Sequence, residues 1–427
     1  MHDRSPVGTQ RGQALVTRQR FNSAGAMLVA AVLPLVLRLT VFPDPAYFET
    51  SIVSFLANVS AVGIATWSRL SVGAFPGTRG GTLIAPSLAA AHGLVFACLL
   101  MTRLPYDRFG IMLGFGGHLV WAIGLHLAVH RKVKQRFAVV PCGDVNQLDR
   151  IERVHWWLMR CPSLEESQGC DAIVADFSAD LPPEWERLLA DAALAGHVVY
   201  QVKQLSESLT GRVEVEHLSE NSFGGLLPAR GYFHLKFVID YLAALMLLPI
   251  LLLPMLCVAL AIKIESRGPV LFRQQRIGLS AKPFTVFKFR TMDEHEPSLD
   301  LRSAAMTQAE DDRITRVGRF LRRTRIDELP QLINILRGEM SWIGPRPETT
   351  VLSDWYFDEI PFYRYRHVIR PGISGWAQVN QGHVAQVDQV REKLQYDFFY
   401  IKYFSPWLDL LILFRTVRTM LTGEGSR

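Results

Sequence analysis

Four apolar stretches crowd the first third of the chain, at 24–42, 46–67, 82–101 and 110–129. Each is close to the ~20 residues that a helix needs to cross ~30 Å of hydrocarbon. A lone soluble domain is therefore excluded, and residues 24–136 are expected to form a bundle of four transmembrane helices. Arg38 lies in the first stretch, where a cation at mid-bilayer costs ~2.5 kcal/mol or more, so its side chain must snorkel to an interface. His92, His118 and His126 fall inside the spans with no acidic neighbour in sequence, which fits packing or interhelical hydrogen bonding better than a proton path.

Orientation follows from the short loops. Arg69 and Arg79 separate the second and third stretches, and Arg131, Lys132, Lys134 and Arg136 follow the fourth, whereas the first loop carries Asp44 and Glu49. The positive-inside rule then places both ends of the bundle in the cytoplasm, with residues 1–23 as a basic tail; Arg103 and Arg108 pull weakly the other way.

The net charge of +6 conceals a division along the chain. Residues 1–136 hold 13 Lys/Arg against 4 Asp/Glu, residues 137–230 hold 7 against 15, and residues 231–427 hold 26 against 21. Basic flanks beside apolar runs describe a membrane face, not the uniformly basic surface of a nucleic-acid binder. The five cysteines, Cys98, Cys142, Cys161, Cys170 and Cys257, are odd in number, scattered and without a CxxC. They suggest neither a disulfide framework nor a zinc site, and they fit a reducing compartment.

Residues 137–230 turn soluble and acidic. Strand-like runs at 137–141 and 171–177 flank a helical-looking stretch at 149–159, and a helix at 183–195 leads into another strand at 197–202. Such alternation predicts a small α/β module of Rossmann-like type with a parallel sheet. Its Pro141-Cys142-Gly143-Asp144 turn is not a GxGxxG fingerprint, so a structural or regulatory role is expected there instead of a dinucleotide site.

A fifth hydrophobic run, 237–262, is opened by Lys236 and Asp240 and interrupted by Pro249 and Pro254. Interior prolines remove helix hydrogen bonds and kink the axis. A straight crossing would also put the Lys/Arg-rich residues 263–427 across the membrane from the 137–230 module, against the positive-inside rule. The expected form is a helix-break-helix that enters the cytoplasmic leaflet and returns, with a Pro-kinked fifth span as the alternative.

Short motifs then follow densely: Phe272-Arg273-Gln274-Gln275-Arg276-Ile277-Gly278, Phe287-Lys288-Phe289-Arg290-Thr291-Met292, Arg325-Ile326-Asp327-Glu328-Leu329-Pro330-Gln331, Gly344-Pro345-Arg346-Pro347, and the run Arg370-Pro371-Gly372-Ile373-Ser374-Gly375-Trp376-Ala377-Gln378-Val379-Asn380. Asp327 and Glu328, set among Arg319, Arg322, Arg323 and Arg325, can join a metal ion to a phosphate. With unperturbed pKa values of about 4 both are ionised near neutral pH, and an ionised carboxylate can attack phosphorus. Arg346, on a loop stiffened by two prolines, suits a bidentate phosphate clamp, and Lys288, Arg290 and Arg370 are further candidates to bind phosphate. Trp376, Gln378 and Asn380 have two readings, contacts to a nucleobase or sugar, or a packing plug. Residues 407–421, too charged to span, suit an interfacial helix or an ordinary docked one.

In this order, behind a hydrophobic anchor, the motifs closely resemble the bacterial sugar transferase family, the polyprenyl-phosphate sugar-1-phosphate transferases that begin capsule, exopolysaccharide and O-antigen synthesis. The resemblance is dense over 234–420, and the four spans plus α/β module are similar in layout to the family's long form. It implies a mostly α-helical, membrane-associated catalytic domain at 231–427 on the cytoplasmic face of a bacterial inner membrane. It also implies that Asp327 attacks the sugar-bearing phosphate of a UDP-hexose, that polyprenyl (undecaprenyl) phosphate then collects the sugar phosphate, and that Mg²⁺ assists with Glu328 as its ligand. Three places depart from the family pattern: Gln381, Gly382 and His383 follow Asn380 where a Gly and then a basic residue are usual, Lys236-Phe237 replaces a Lys-Arg pair, and Leu253 replaces a Ser before the central proline. One competing function is a non-catalytic scaffold that recruits downstream glycosyltransferases through its acidic module, but a scaffold has no need of vicinal carboxylates amid cations; a third is a lipid pyrophosphatase, which would release free phosphate instead of a lipid-linked product. The identity of the sugar stays open.

Overall fold

The computed structural model describes residues 20–41, 43, 47–72, 84–130, 135–148, 151–152, 154–214, 228, 230–292, 313–381 and 387–422. Residues 1–19 of the basic tail, and the loops with Arg79 and with 131–134, lie outside the described residues. The chain divides into two compact units, Met1–Gly211 and Arg212–Arg427, so the structural division precedes the change in composition at residue 230.

The four apolar stretches of the first unit are helices, within a few residues at each end: α1 (Arg20–Val41), α2 (Phe48–Val72), α3 (Ile84–Thr102) and α4 (Arg108–His130). All four are long and apolar enough to cross a membrane. Small residues point inward, with Ala30, Ala61, Ala65, Ala91 and Ala122 buried, while Leu28, Trp67, Leu100, Met112 and Val120 are exposed. Lipid gives helices no hydrophobic reason to associate, so close packing of small residues and interhelical hydrogen bonds hold such bundles. Asn58 donates to the Gly110 carbonyl (3.0 Å), and His92 Nε2 meets His118 Nδ1 at 3.2 Å, which makes those two histidines an interhelical pair. Arg38 pairs with Asp107 at 3.5 Å and lies over the Tyr47 ring.

The same unit holds a four-stranded sheet made of β1 (Arg136–Val139), β2 (His155–Leu158), β3 (Ala172–Ala175) and β4 (Val199–Gln201). Its order is β2-β1-β3-β4 and every pairing is parallel. Helix α5 (Pro183–Leu194) opens with proline in its first turn and Glu184 and Glu186 near its N-terminus, where a missing N–H costs nothing and negative charge meets the dipole. It covers one face of the sheet through Trp185, Leu188 and Ala192 packed on Ala138 and Ile173. Helix α6 (Val202–Thr210) covers the other through Val202 and Leu205 against Phe137, Val139 and Val174. One expectation fails here: the described part of 149–159 is not helical, and His155–Leu158 forms β2 instead. Consecutive aromatics favour a strand, and the open edge of β1 supplies its hydrogen bonds.

The second unit is built on α7 (Arg230–Glu265), one helix of 36 residues. It is the fifth helix long and apolar enough to cross a membrane. The break expected at its centre is absent, because helical geometry continues through Pro249 and Pro254. In an apolar setting there is no water to satisfy a backbone that leaves the helix, so the helix persists without the bonds that proline cannot make. One side of α7 packs along the protein over most of its length. Ala244, Leu248 and Leu251 meet Phe284, Val286, Leu332, Ile335 and Met340, and further along Met255, Val258 and Ile262 meet Phe289, Leu321, Ile326 and Leu329. Ile239, Met246, Ile250, Leu253, Leu260 and Ile264 are exposed. At the helix start Lys236 pairs with Asp409 (2.7 Å), and the Asp240 carboxylate accepts from Ser341 Oγ (2.5 Å). Against α7 lie an antiparallel hairpin, β5 (Leu271–Ile277) with β6 (Pro283–Phe289), and a short parallel pair, β7 (Ser341–Ile343) with β8 (Gly372–Ser374). The remaining helices are α8 (Arg316–Thr324), α9 (Leu332–Leu336), α10 (Thr350–Glu359), α11 (Trp376–Gln381), α12 (Val387–Lys402) and α13 (Pro406–Thr422).

Candidate active site

Three pieces of local structure converge. Helix α8 starts where the Thr315 hydroxyl accepts from Gly318 N (2.9 Å), and it ends at Arg325, whose φ of 60° is left-handed. That residue turns the chain into a 3₁₀ segment, Ile326–Gln331. Ile326 and Leu329, three apart, pack toward α7, and the intervening Asp327 and Glu328 are both buried. Strand β6 brings Lys288, and its backbone is pinned by Asn334, which accepts from Phe287 N (3.2 Å) and donates to the Thr285 carbonyl (2.7 Å). The loop after β7 brings Arg346. Gly344 is required there, because a Cβ would sit 2.5 Å from the Arg370 carbonyl oxygen.

At the junction, Glu328 Oε1 accepts from Lys288 Nζ at 2.9 Å and from Arg346 Nη2 at 2.8 Å. Burial alone would raise the Glu328 pKa, but Arg346 and Lys288 hold it far below the usual carboxylate range. Asp327 moves the other way: burial and the adjacent Glu328 charge raise its pKa, with Lys288 and Arg346 opposing. Its Oδ1 is buried without a hydrogen-bond partner among the described residues. One carboxylate is thus committed to two cations, and its neighbour is left with an unspent oxygen. Lys288 is pushed down to about 8, by burial and by the repulsion of Arg346 and Arg276, despite Glu328. Deprotonation of Lys288 removes a charge that neutralises the carboxylates, so kcat/KM is expected to fall as pH rises through about 8. Replacing Lys288 with Arg should move that alkaline limb beyond the accessible range; a pH–rate profile of both enzymes checks this.

Behind Arg346 lies a second set of charges, buried at Arg366 and Asp397 and half-buried at Arg276, Glu348 and Lys393, that the motifs alone do not single out. Arg276 donates to the Pro347 carbonyl, Lys393 pairs with Glu348, and Arg366 pairs with Asp397 at 2.8 Å. Burial lowers the Arg276 pKa to about 10, helped by Arg346. Burial would raise Glu348, yet Lys393 and Arg366 hold it down to about 2. Arg276 stands in the first quoted motif and Glu348 directly after Pro347, so both were within sight; nothing local marks Arg366, Lys393 or Asp397.

The other candidates are spent elsewhere. The guanidinium of Arg290 donates to the carbonyls of Arg267 (2.9 Å) and Ser266 (3.0 Å), which fastens β6 to the end of α7. Arg370 donates to the Gly338 carbonyl (2.9 Å) and lies over Phe233 and Phe237 at the start of α7, so Phe237 serves as an aromatic seat for a cation. Trp376 is buried, stacked on Phe399 with centroids 5.5 Å apart and covered by Arg415. Asn380 accepts from Arg415 (2.5 Å) and donates to the Trp376 carbonyl (2.7 Å), and Gln378 donates to the Ile373 carbonyl (3.3 Å). These three side chains sit in a packed assembly around α11, where Trp376 takes the form of a plug. Helix α13 docks through buried Leu408, Leu411 and Ile412, while Leu413, Val417 and Met420 stay exposed.

The family model for bacterial sugar transferases matches residues 231–423. A UDP-N-acetylgalactosamine-undecaprenyl-phosphate N-acetylgalactosaminephosphotransferase of Aeromonas hydrophila is 44% identical over 354 residues, covering 83% of this chain and 83% of the relative. The chain belongs to the bacterial sugar transferase family. Two UDP-glucose:undecaprenyl-phosphate glucose-1-phosphate transferases also resemble this sugar transferase. That of Caulobacter vibrioides is 46% identical over 205 residues, 48% of this chain and 76% of the relative. That of Escherichia coli is 45% identical over 181 residues, 41% of this chain and 38% of the relative. The likeness to the Aeromonas transferase thus reaches well beyond the catalytic residues into the first unit.

Proposed function

We propose that this transferase moves a sugar 1-phosphate from a UDP-hexose to undecaprenyl phosphate through a covalent aspartyl intermediate, and thereby begins assembly of an exopolysaccharide, capsule or O-antigen. The observation that carries the proposal is the buried, unpartnered Oδ1 of Asp327 beside a glutamate already neutralised by Lys288 and Arg346. The Asp327 carboxylate attacks the phosphorus that bears the sugar, the bond to the bridging oxygen breaks, and UMP leaves with that oxygen. An oxygen of the lipid phosphate then attacks the same phosphorus, and the aspartate is regenerated. Lys288 and Arg346 hold the donor's phosphate oxygens and lower the repulsion between carboxylate and diphosphate. Glu328, whose Oε1 accepts from both cations, would be the protein ligand to Mg²⁺, an ion that takes one or two carboxylates and completes its shell with waters and substrate phosphate oxygens. When bound there, it would supply further positive charge to the donor diphosphate.

N-acetylgalactosamine is the first donor to test, because the relative that matches across most of both chains carries it in its name. Purified enzyme with Mg²⁺, undecaprenyl phosphate and each of several UDP-sugars should release UMP and form a lipid-linked sugar with at least one. Release of free phosphate in place of lipid product would point to a pyrophosphatase, and inertness toward every donor to a scaffold.

We further infer that α7, unbroken, lies in the cytoplasmic leaflet without crossing it, which keeps the catalytic unit on the cytoplasmic face of the inner membrane. Support comes from the apolar packing of α7 along the protein from Ala244 to Ile262, which a perpendicular crossing would expose to lipid. In a cysteine-free background, cysteines at Glu184 and Asp358 should both react with an impermeant reagent only after the cytoplasmic side is opened. Asp358→Cys labelled from the outside of intact cells would establish a fifth crossing instead. The parallel sheet with helices on both faces supports a Rossmann-like module.

A further inference from the structure

Arg346 reaches Glu328 from a loop with no regular secondary structure, so something must fix that loop. Its two consecutive carbonyls each accept from a guanidinium: Arg346 O from the buried Arg366 Nη2 at 2.9 Å, and Pro347 O from the half-buried Arg276 Nη1. Arg366 lies in a 3₁₀ turn, Tyr363–Val368, is 3% exposed, and divides its donors among Arg346 O, Asp397 Oδ2 (2.8 Å) and the Tyr363 hydroxyl (2.7 Å).

We propose that Arg366 is a positioning residue for Arg346: its guanidinium, balanced by Asp397, fixes the Arg346 carbonyl and so aims the Arg346 side chain at Glu328 and at the donor's phosphates. The proposal rests on Arg346 being the donor clamp. Three features favour this role over that of a plain buried ion pair. A buried pair adds little net stability compared with apolar replacements, so its retention calls for another reason. The same Nη2 that meets Asp397 is shared with the backbone of an active-site residue, which couples the pair to the loop. Serving three acceptors at once needs a planar fork of donors, which lysine lacks. Displacing a clamp by about 1 Å can cost on the order of 100-fold in rate.

The test is a double-mutant cycle on the full-length enzyme, with Arg366→Lys, Arg346→Ala and the pair, using undecaprenyl phosphate and the UDP-sugar chosen by the donor screen. Arg366→Lys alone should lower kcat/KM for the donor by about 30-fold, mainly through a higher donor KM, with the KM for lipid phosphate unchanged. On top of Arg346→Ala the same change should cost less than about 3-fold, because the residue it positions is gone. A full second loss in that background, or an equal loss toward both substrates, would overturn the proposal. Wild-type activity in Arg346→Ala alone would strike down the clamp itself, and the positioning role with it. Should Arg366→Lys fail to fold, Tyr363→Phe removes one acceptor from the same guanidinium with little change in volume. It should show a smaller donor-specific loss that also disappears in the Arg346→Ala background.

Discussion

Replacing Asp327 with Asn is expected to lower UMP release by at least ~10³-fold while leaving the protein folded. Asparagine keeps the shape of the side chain but offers no anionic oxygen to phosphorus. Incubated with donor alone, the wild-type enzyme should gain the mass of one sugar phosphate, and Asp327→Asn should gain nothing. The thermal midpoint should stay level or rise, since burial and the neighbouring glutamate already disfavour the Asp327 charge. Turnover near the wild-type rate in this variant would rule out a covalent aspartyl step.

Glu328→Gln is expected to damage both activity and stability. It leaves the half-buried Lys288 and Arg346 side by side without the buried carboxylate that each contacts within 3 Å. Removing one member of a buried ion pair typically costs ~3–5 kcal/mol, because the surviving charge remains desolvated. The melting temperature should therefore fall by several degrees, unlike that of Asp327→Asn, and kcat/KM should fall by ~10²–10³ as the clamp loses its anchor. Differential scanning of the two variants side by side separates the roles of the adjacent carboxylates. Equal melting of Glu328→Gln and wild type would mean that the ionic junction adds nothing to the fold.

The membrane bundle was legible because twenty apolar residues in a row leave few options, and helix ends moved by only a few residues. The Asp327-Glu328 pair was legible too, since vicinal carboxylates amid arginines stand out in any context. The structure supplies what links them to Lys288 and Arg346, contacts that span 40 and 18 positions of sequence. Arg366 and Asp397 were illegible for the same reason: buried ion pairs leave no periodic trace. The four-residue strand His155–Leu158 was misread because so short an edge element has no alternation to display, and its pairing partner decides its form. Pro249 and Pro254 overstated their effect, because the local rule for prolines takes no account of surroundings that deny the backbone other partners.

The side of α7 that covers the hairpin and the Ile326–Gln331 turn has a practical corollary. This helix is a wall of the second unit's hydrophobic core as well as a tether, so no water-soluble catalytic fragment can be made by cutting it away. Deleting 230–265 would bare Phe284, Phe289, Leu332 and Ile335 at once and yield an aggregate. Compounds sought against this transferase must therefore be screened on detergent-borne or nanodisc-borne enzyme, where that wall is in place.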